Sequence, residues 1–300
     1  MDKTIFDFHA DDFAVSLSAS RDIISLGDKG VIDSISIIPN MSIFDEVVPL
    51  LKSFPQTIER SVHLNFVEGK SCLPKETVPD LVDDEGCFRI SWGSLLLTGF
   101  NPARRKRVKE QLAAEIVAQV EKCIEAQIVL PDALRLDSHQ HTHMIPLVQD
   151  ALFEAVDRLE KKDRKVVFVR NSEDPIRLYF SSFKTLKSFS AANMLKCMIL
   201  NLFSQKLKKK LKERNLPAGY LCGVFYSGHM DEERLSEVLL AFERLAGKNK
   251  RKVEVLFHPG RVRREEILPE FTKPGFVKFH LSSNRHIEFN SICKLSGVSV

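Results

Sequence analysis

Short apolar runs, each ended by a polar cluster, alternate with amphipathic helical stretches along this chain. That alternation restricts the fold to an α/β design with parallel strands and helical crossovers. Strands are expected at 4–8, 34–38, 61–64, 134–136, 166–169, 223–226 and 253–257. Helices are expected at 16–26, 44–51, 102–127, 147–159, 191–212 and 231–245. The 102–127 stretch has the clearest period: Val108, Leu112, Ile116, Val120 and Ile124 recur every fourth residue, with Lys and Glu between them. Residues 68–98 are irregular, and a loop of that length in a compact fold usually serves as a lid or substrate wall.

The polar clusters carry the chemistry. Asp11-Asp12, His63-Leu64-Asn65, the run Asp137-Ser138-His139-Gln140-His141-Thr142-His143, and His258-Pro259-Gly260 each follow an expected strand. In barrels and open α/β sheets the carboxyl ends of parallel strands gather reactive groups. An Asp pair alone is usually a solvated turn or cap, a lone His63 usually a core histidine, and Pro-Gly a turn. Three alternating histidines behind a strand and an aspartate point instead to a divalent-metal site.

A carboxylate and two neutral imidazoles leave coordination positions open. A metal held there lowers the pKa of a bound water toward about 7 and polarises a carbonyl. If Asp12 reaches the metal, Asp11 can sit beside the water as base, because neighbours on a regular strand point opposite ways. His258 suits a general acid. Asp137 can fix the tautomer of a ligating imidazole. His139 and His143 share a face if their turn is helical, and all three histidines share one if it is extended. Spacing therefore leaves open which of them binds.

Composition excludes several alternatives. A net charge of +4 over 300 residues gives no argument for nucleic acid. The six cysteines are scattered without a C-x-x-C pair, which reads as buried thiols in a reducing compartment. The start Met1-Asp2-Lys3 lacks a secretory leader pattern, and no long uncharged apolar run is present, so a cytoplasmic protein is expected. The expected organisation is one domain over 1–300, with a basic helical insertion at about 174–216. The Lys- and Arg-rich end of that insertion, 206–214, reads first as a solvated helix end and second as a peripheral contact with anionic membrane or polyanion.

On Ala10-Asp11-Asp12-Phe13, Val62-His63-Leu64-Asn65, Leu136 to His143 and His258-Pro259-Gly260, the chain resembles the YdjC-like (ChbG/HpnK) carbohydrate deacetylases, in order and spacing up to about Gly260. The resemblance implies a distorted, incomplete β/α barrel related to that of polysaccharide deacetylases. It implies metal ligands Asp12, His63 and His139, Asp11 as base, and His258 as acid or oxyanion helper. His143 would lie near the site, with Asp137, Asn65 and His9 as further substrate or supporting residues. It also implies a homodimer, and a segment beside the pocket at 219–228. The family usually has Asn where His9 stands and Gly where Ala14 stands. The expected activity is removal of an N-acetyl group from an amino sugar of an oligosaccharide or glycoconjugate, with zinc or magnesium. The alternatives are a metallohydrolase on another bond, such as a phosphate ester, and a non-catalytic glycan-binding module. No function is legible in residues 278–300.

Overall fold

A computed structural model describes residues 5–180, 190–271 and 273–298. Seven parallel strands form one sheet in the order β5-β4-β3-β2-β1-β7-β6. They are β1 (Phe6–Phe13), β2 (Ser34–Ile37), β3 (Glu59–Leu64), β4 (Leu134–Ser138), β5 (Val166–Val169), β6 (Tyr220–Cys222) and β7 (Val253–Phe257). The sheet curls into an open half-barrel, the incomplete barrel expected above, with β5 and β6 as its edges. The segment after β5 crosses toward the other edge, where Leu221 N–H donates to the Glu173 carbonyl at 2.8 Å.

Period-two alternation explains the two faces of this sheet. Asp7, His9 and Asp11 of β1 fall on one face, with Ser34 and Ser36 of β2, Ser61 and His63 of β3, Arg135 and Asp137 of β4, and Glu254 of β7. The intervening residues Phe6, Phe8, Ala10, Ile35, Ile37, Val62, Leu64, Leu134, Leu136, Val253 and Val255 belong to the main hydrophobic core. The half-barrel thus has a polar concave face and an apolar convex one. Polar groups without water must pair with one another, which makes the concave face a dense hydrogen-bond network.

Side chains fix the helix ends. Ser16 caps Leu17–Asp28 by accepting from Ala19 N–H, Asn101 caps Pro102–Glu125 by accepting from Arg104 N–H, and Asp231 caps Glu232–Asn249 by accepting from Arg234 N–H. The expected 44–51 helix is α-helical only over Phe44–Val47 and continues as a 3-10 turn over Val48–Lys52, because Pro49 removes a backbone donor. The expected strand at 223–226 lies three residues earlier, at Tyr220–Cys222; Gly223 to Tyr226 form turns whose N–H groups at Gly223, Val224 and Phe225 point at the Asp174 carboxylate. The irregular 68–98 stretch contains a capped helix, Trp92–Thr98, and two isolated antiparallel bridges.

The insertion carries the helix Ala191–Glu213, while its residues 181–189 lie outside the described part, as do Met1 to Thr4 and the last two residues. Its basic end is largely neutralised within the chain. Lys206 and Lys210 pair with Asp150, Lys208 with Glu173, and Arg214 with Asp157 and Glu160. Lys209 and Lys212 are the exposed cations of that stretch with no acidic partner among the described residues. No helix among the described residues is long and apolar enough to cross a membrane.

Gly260 makes a further prediction. It adopts φ +95, and a Cβ there would lie 2.8 Å from both Cα and O of Ala19. Gly260→Ala combines a disfavoured backbone with overpacking against main chain, and is expected to cost about 2–4 kcal/mol. The urea unfolding midpoint checks this.

Candidate active site

The expected site residues lie at the carboxyl end of the sheet except His9, which stands in the middle of β1 opposite Ser34, and the ladder registers explain how they meet. His63 pairs in register with Asp137 across β3 and β4, and His63 Nδ1 lies 2.6 Å from Asp137 Oδ1. The Asp-Asp pair departs from a regular strand. The pairing of β1 with β2 shifts between Ala10 and Phe13, and Asp12 adopts φ 69. This bulge overrides the alternation expected of neighbours and turns both carboxylates toward one imidazole. Asp11 Oδ2 lies 3.8 Å and Asp12 Oδ1 3.7 Å from His63 Nε2.

The histidine run is neither a regular helix nor a strand. It forms a 3-10 turn over His139–Met144 kinked by positive φ at Gln140 and His141, so its three imidazoles diverge. His139 turns to Asp12, with Nδ1 3.1 Å from Asp12 Oδ1. His141 Nδ1 lies 3.0 Å from the Ser172 hydroxyl. Both nitrogens of His143 are engaged, Nε2 donating to the Arg170 carbonyl at 2.9 Å and Nδ1 accepting from Ser138 at 2.6 Å. Asn65 ties down the loop after β3, its amide donating to Asn40 Oδ1 and the Glu68 carbonyl. His9 bridges the hydroxyls of Ser34 and Ser36, and its Nε2 lies 3.0 Å from Asp11 Oδ1.

Asp12, His63 and His139 place one ligand atom each within 4.8 Å of one another, and all three are buried. Their chemistry fits a divalent cation. His63 Nδ1 is committed to Asp137, which leaves Nε2 facing the aspartates; burial opposes a charged ring, but Asp11 and Asp137 raise its pKa, and a cation at Nε2 would take the place of that proton. His139 Nε2 is buried without a hydrogen-bond partner. Asp11, Asp12 and Asp137 are held ionised against the cost of burial beside the guanidiniums of Arg170 and Arg285, three carboxylates to two fixed cations, a setting that suits a further cation.

Several residues that shape the site escaped sequence reasoning. Arg170, directly after β5 and fully buried, donates to Asp11 at 3.0 and 2.8 Å and lies 2.8 Å from Asp137 and 2.5 Å from Glu254. It stands at a strand end, so the rule that found the other clusters would have found it too. Arg285, from the helix Asn284–Leu295, donates to Asp12 Oδ2 at 3.1 Å and to the Gly260 and Pro259 carbonyls. Glu288, one turn further on, accepts from His258 N–H at 2.6 Å. His280 ends the helix Pro274–His280, whose Phe276 packs edge-on against His139 at 4.9 Å.

Electrostatics separates the roles available to these groups. Burial alone would raise the Asp11 carboxyl, but the Arg170 guanidinium, then His63 and His9, hold it well below the usual carboxylate range. Burial likewise opposes ionisation of Asp12, and the hydrogen bond and charge of His139, with His280 and Arg285, reverse it. His258, with Nε2 4.0 Å from Asp11 Oδ2, is pushed down to about 4 by burial. Asp11 is thus a carboxylate and His258 a neutral imidazole at neutral pH, a proton acceptor beside a group able to relay.

The YdjC-like protein family matches residues 7–295, nearly the whole of this arrangement. The chain belongs to the YdjC-like family. Among similar proteins, the carbohydrate deacetylase of Brevibacillus brevis is 30% identical over 140 residues, which are 47% of this chain and 50% of that one. The carbohydrate deacetylase of Listeria monocytogenes is 31% identical over 136 residues, covering 45% of this chain and 49% of the relative. This YdjC-like chain therefore spans about half the length of the curated relatives it matches. Its fold resembles the crystal structure of a "putative cellobiose-phosphate cleavage protein" from Enterococcus faecalis V583, with a TM-score of 0.57, 19% identity, and coverage of 98% of this chain and 95% of that one.

Proposed function

We propose that this YdjC-like protein is a metal-dependent carbohydrate N-deacetylase, hydrolysing the acetamide of an amino sugar in an oligosaccharide or glycoconjugate. The observation that carries the reading is the His63 imidazole, oriented by Asp137 so that its free nitrogen meets Asp12 and Asp11 beside His139. Residues 1–300 act as one deacetylase unit, with the segment at about 174–216 as an insertion. The names of the Brevibacillus and Listeria relatives support the substrate class.

Asp12, His63 and His139 would hold the metal, which when bound supplies Lewis acidity toward a water and the acetyl carbonyl. Two nitrogen donors and one oxygen suit zinc better than magnesium, which prefers oxygen ligands. Asp11 accepts the proton of the attacking water. Its pairing with Arg170 fixes the carboxylate's direction and keeps it ionised. His258 is neutral at rest, so it must receive a proton before giving one. At 4.0 Å from Asp11 it is out of direct hydrogen-bond reach, so one bridging water would complete the relay that carries the proton to the departing amine. Asp137 and Arg170 position these groups and touch no reacting atom.

Two measurements test this reading. Acetate release from N-acetylated oligosaccharides, with no turnover of a generic phosphodiester, is expected; the opposite pattern would make the protein a phosphoesterase. Asp11→Asn is expected to retain the metal while turnover falls by about 10²–10⁴-fold. Metal analysis of the purified variant decides between base and ligand, since loss of the metal would exchange the roles of the two aspartates.

A further inference from the structure

A cavity of about 420 Å³ lies between the start of the Leu17–Asp28 helix, the loop after β7, and the turn that follows the Pro274–His280 helix. Arg21, Arg261 and Arg263 line it, and none of these guanidiniums has an ion-pair partner among the described residues. Asp22 is the one acidic residue of this lining, and one of its oxygens accepts from the backbone N–H of Arg261 at 3.0 Å, so three guanidiniums share the hollow with a single carboxylate. Three unpaired arginines around one hollow repel one another unless an anion joins them.

His280 supplies the independent observation. It is one wall of the cavity and is fully buried. Its Nδ1 lies 3.1 Å from Arg285 Nη1, and because a guanidinium only donates, Nδ1 must accept. The ring proton therefore sits on Nε2, a buried donor with no partner. An N–H left without an acceptor costs free energy, and an oxyanion on the arginines that reached Nε2 would offset it. The same Arg285 nitrogen donates to Asp12 Oδ2 at 3.1 Å, so the cavity wall and the proposed metal ligand share one guanidinium.

We propose that Arg21, Arg261, Arg263 and His280 form an oxyanion-binding site, specific for a phosphate, sulfate or carboxylate group, beside the deacetylase centre. Its occupant is either an anionic substituent of the glycan substrate or a free anion. In the first case the site is a specificity subsite and rests on the deacetylase reading. In the second it is an effector site, coupled to Asp12 through Arg285.

Binding is tested on the metal-replete full chain by calorimetric titration with inorganic phosphate and with sulfate, at constant ionic strength against a chloride control. Saturable binding of one anion per chain is expected, weakened at least about tenfold in the double variant Arg261→Gln, Arg263→Gln and in Arg21→Gln. These positions are exposed, so the variants are expected to fold, and circular dichroism checks that they do. Equal affinity in parent and variants, or no saturation beyond the chloride control, overturns the proposal. This readout does not depend on acetate release, so it can fail while the deacetylase reading stands, and the reverse. If the anion belongs to the substrate, the double variant loses at least about tenfold in kcat/KM on an oligosaccharide bearing a phosphate or carboxylate and keeps its rate on the neutral counterpart. If the anion is free, phosphate changes the turnover of a neutral substrate in the parent but not in the variant.

Discussion

Asp12→Ala and His63→Ala are each expected to lose metal binding and turnover together, both by more than about a thousandfold. Removing a partner that merely orients a ligand typically weakens metal affinity about 10–100-fold, and removing one of three ligands must exceed that. Asp12 is the one carboxylate of the Asp12, His63, His139 group, and its second oxygen is held by Arg285. Asp11 and Asp137 also stand within ligand distance of His63, but Asp11 is paired with Arg170 and Asp137 with His63 and Ser36, so either would have to give up those partners to replace Asp12. Metal analysis beside acetate release checks this. A variant that keeps its metal and loses turnover would show that the altered residue belongs to the proton path.

Arg170→Met is expected to destabilise the fold by at least about 3–5 kcal/mol, because it leaves Asp11, Asp137 and Glu254 buried without their cation. Arg170 ties together β1, β4 and β7 across the concave face. Its carbonyl also accepts from His143, which steadies the turn that aims His139. Loss of the guanidinium should therefore reach the ligand set as well as the core. A divalent cation should restore part of the lost stability, since it offsets the same charges. The measurement is the urea midpoint with chelator and with added zinc. An unchanged midpoint would mean that these carboxylates take up protons at little cost.

The strand ends were readable because one rule applied to all of them. Short β-branched and apolar runs stop at His9 to Asp12, at His63, at Asp137 and at His258, and a parallel sheet brings those ends together whatever the details of curvature. Two kinds of information were not local. The bulge at Asp12, which defeats simple alternation, arises from how β1 pairs with β2. The kinks at Gln140 and His141, which select among three equivalent-looking histidines, are set by Ser138, Ser172 and Arg170 around them. Ala14 shows how a departure can be explained only afterwards. It adopts φ 77, a backbone that glycine takes freely, which fits the glycine that the resemblance implies at this position. His280, Arg285 and Glu288 were silent because helical residues near a chain end carry no pattern that distinguishes a site from a surface.

The most direct test is acetate release from a panel of N-acetylated oligosaccharides and glycolipid headgroups. Protein stripped with chelator would be compared before and after adding back zinc or magnesium. The expected result is release that is absent from the stripped protein and returns with metal, zinc more effectively than magnesium. Equal release from stripped and replete protein would contradict the metal-dependent mechanism built on Asp12, His63 and His139.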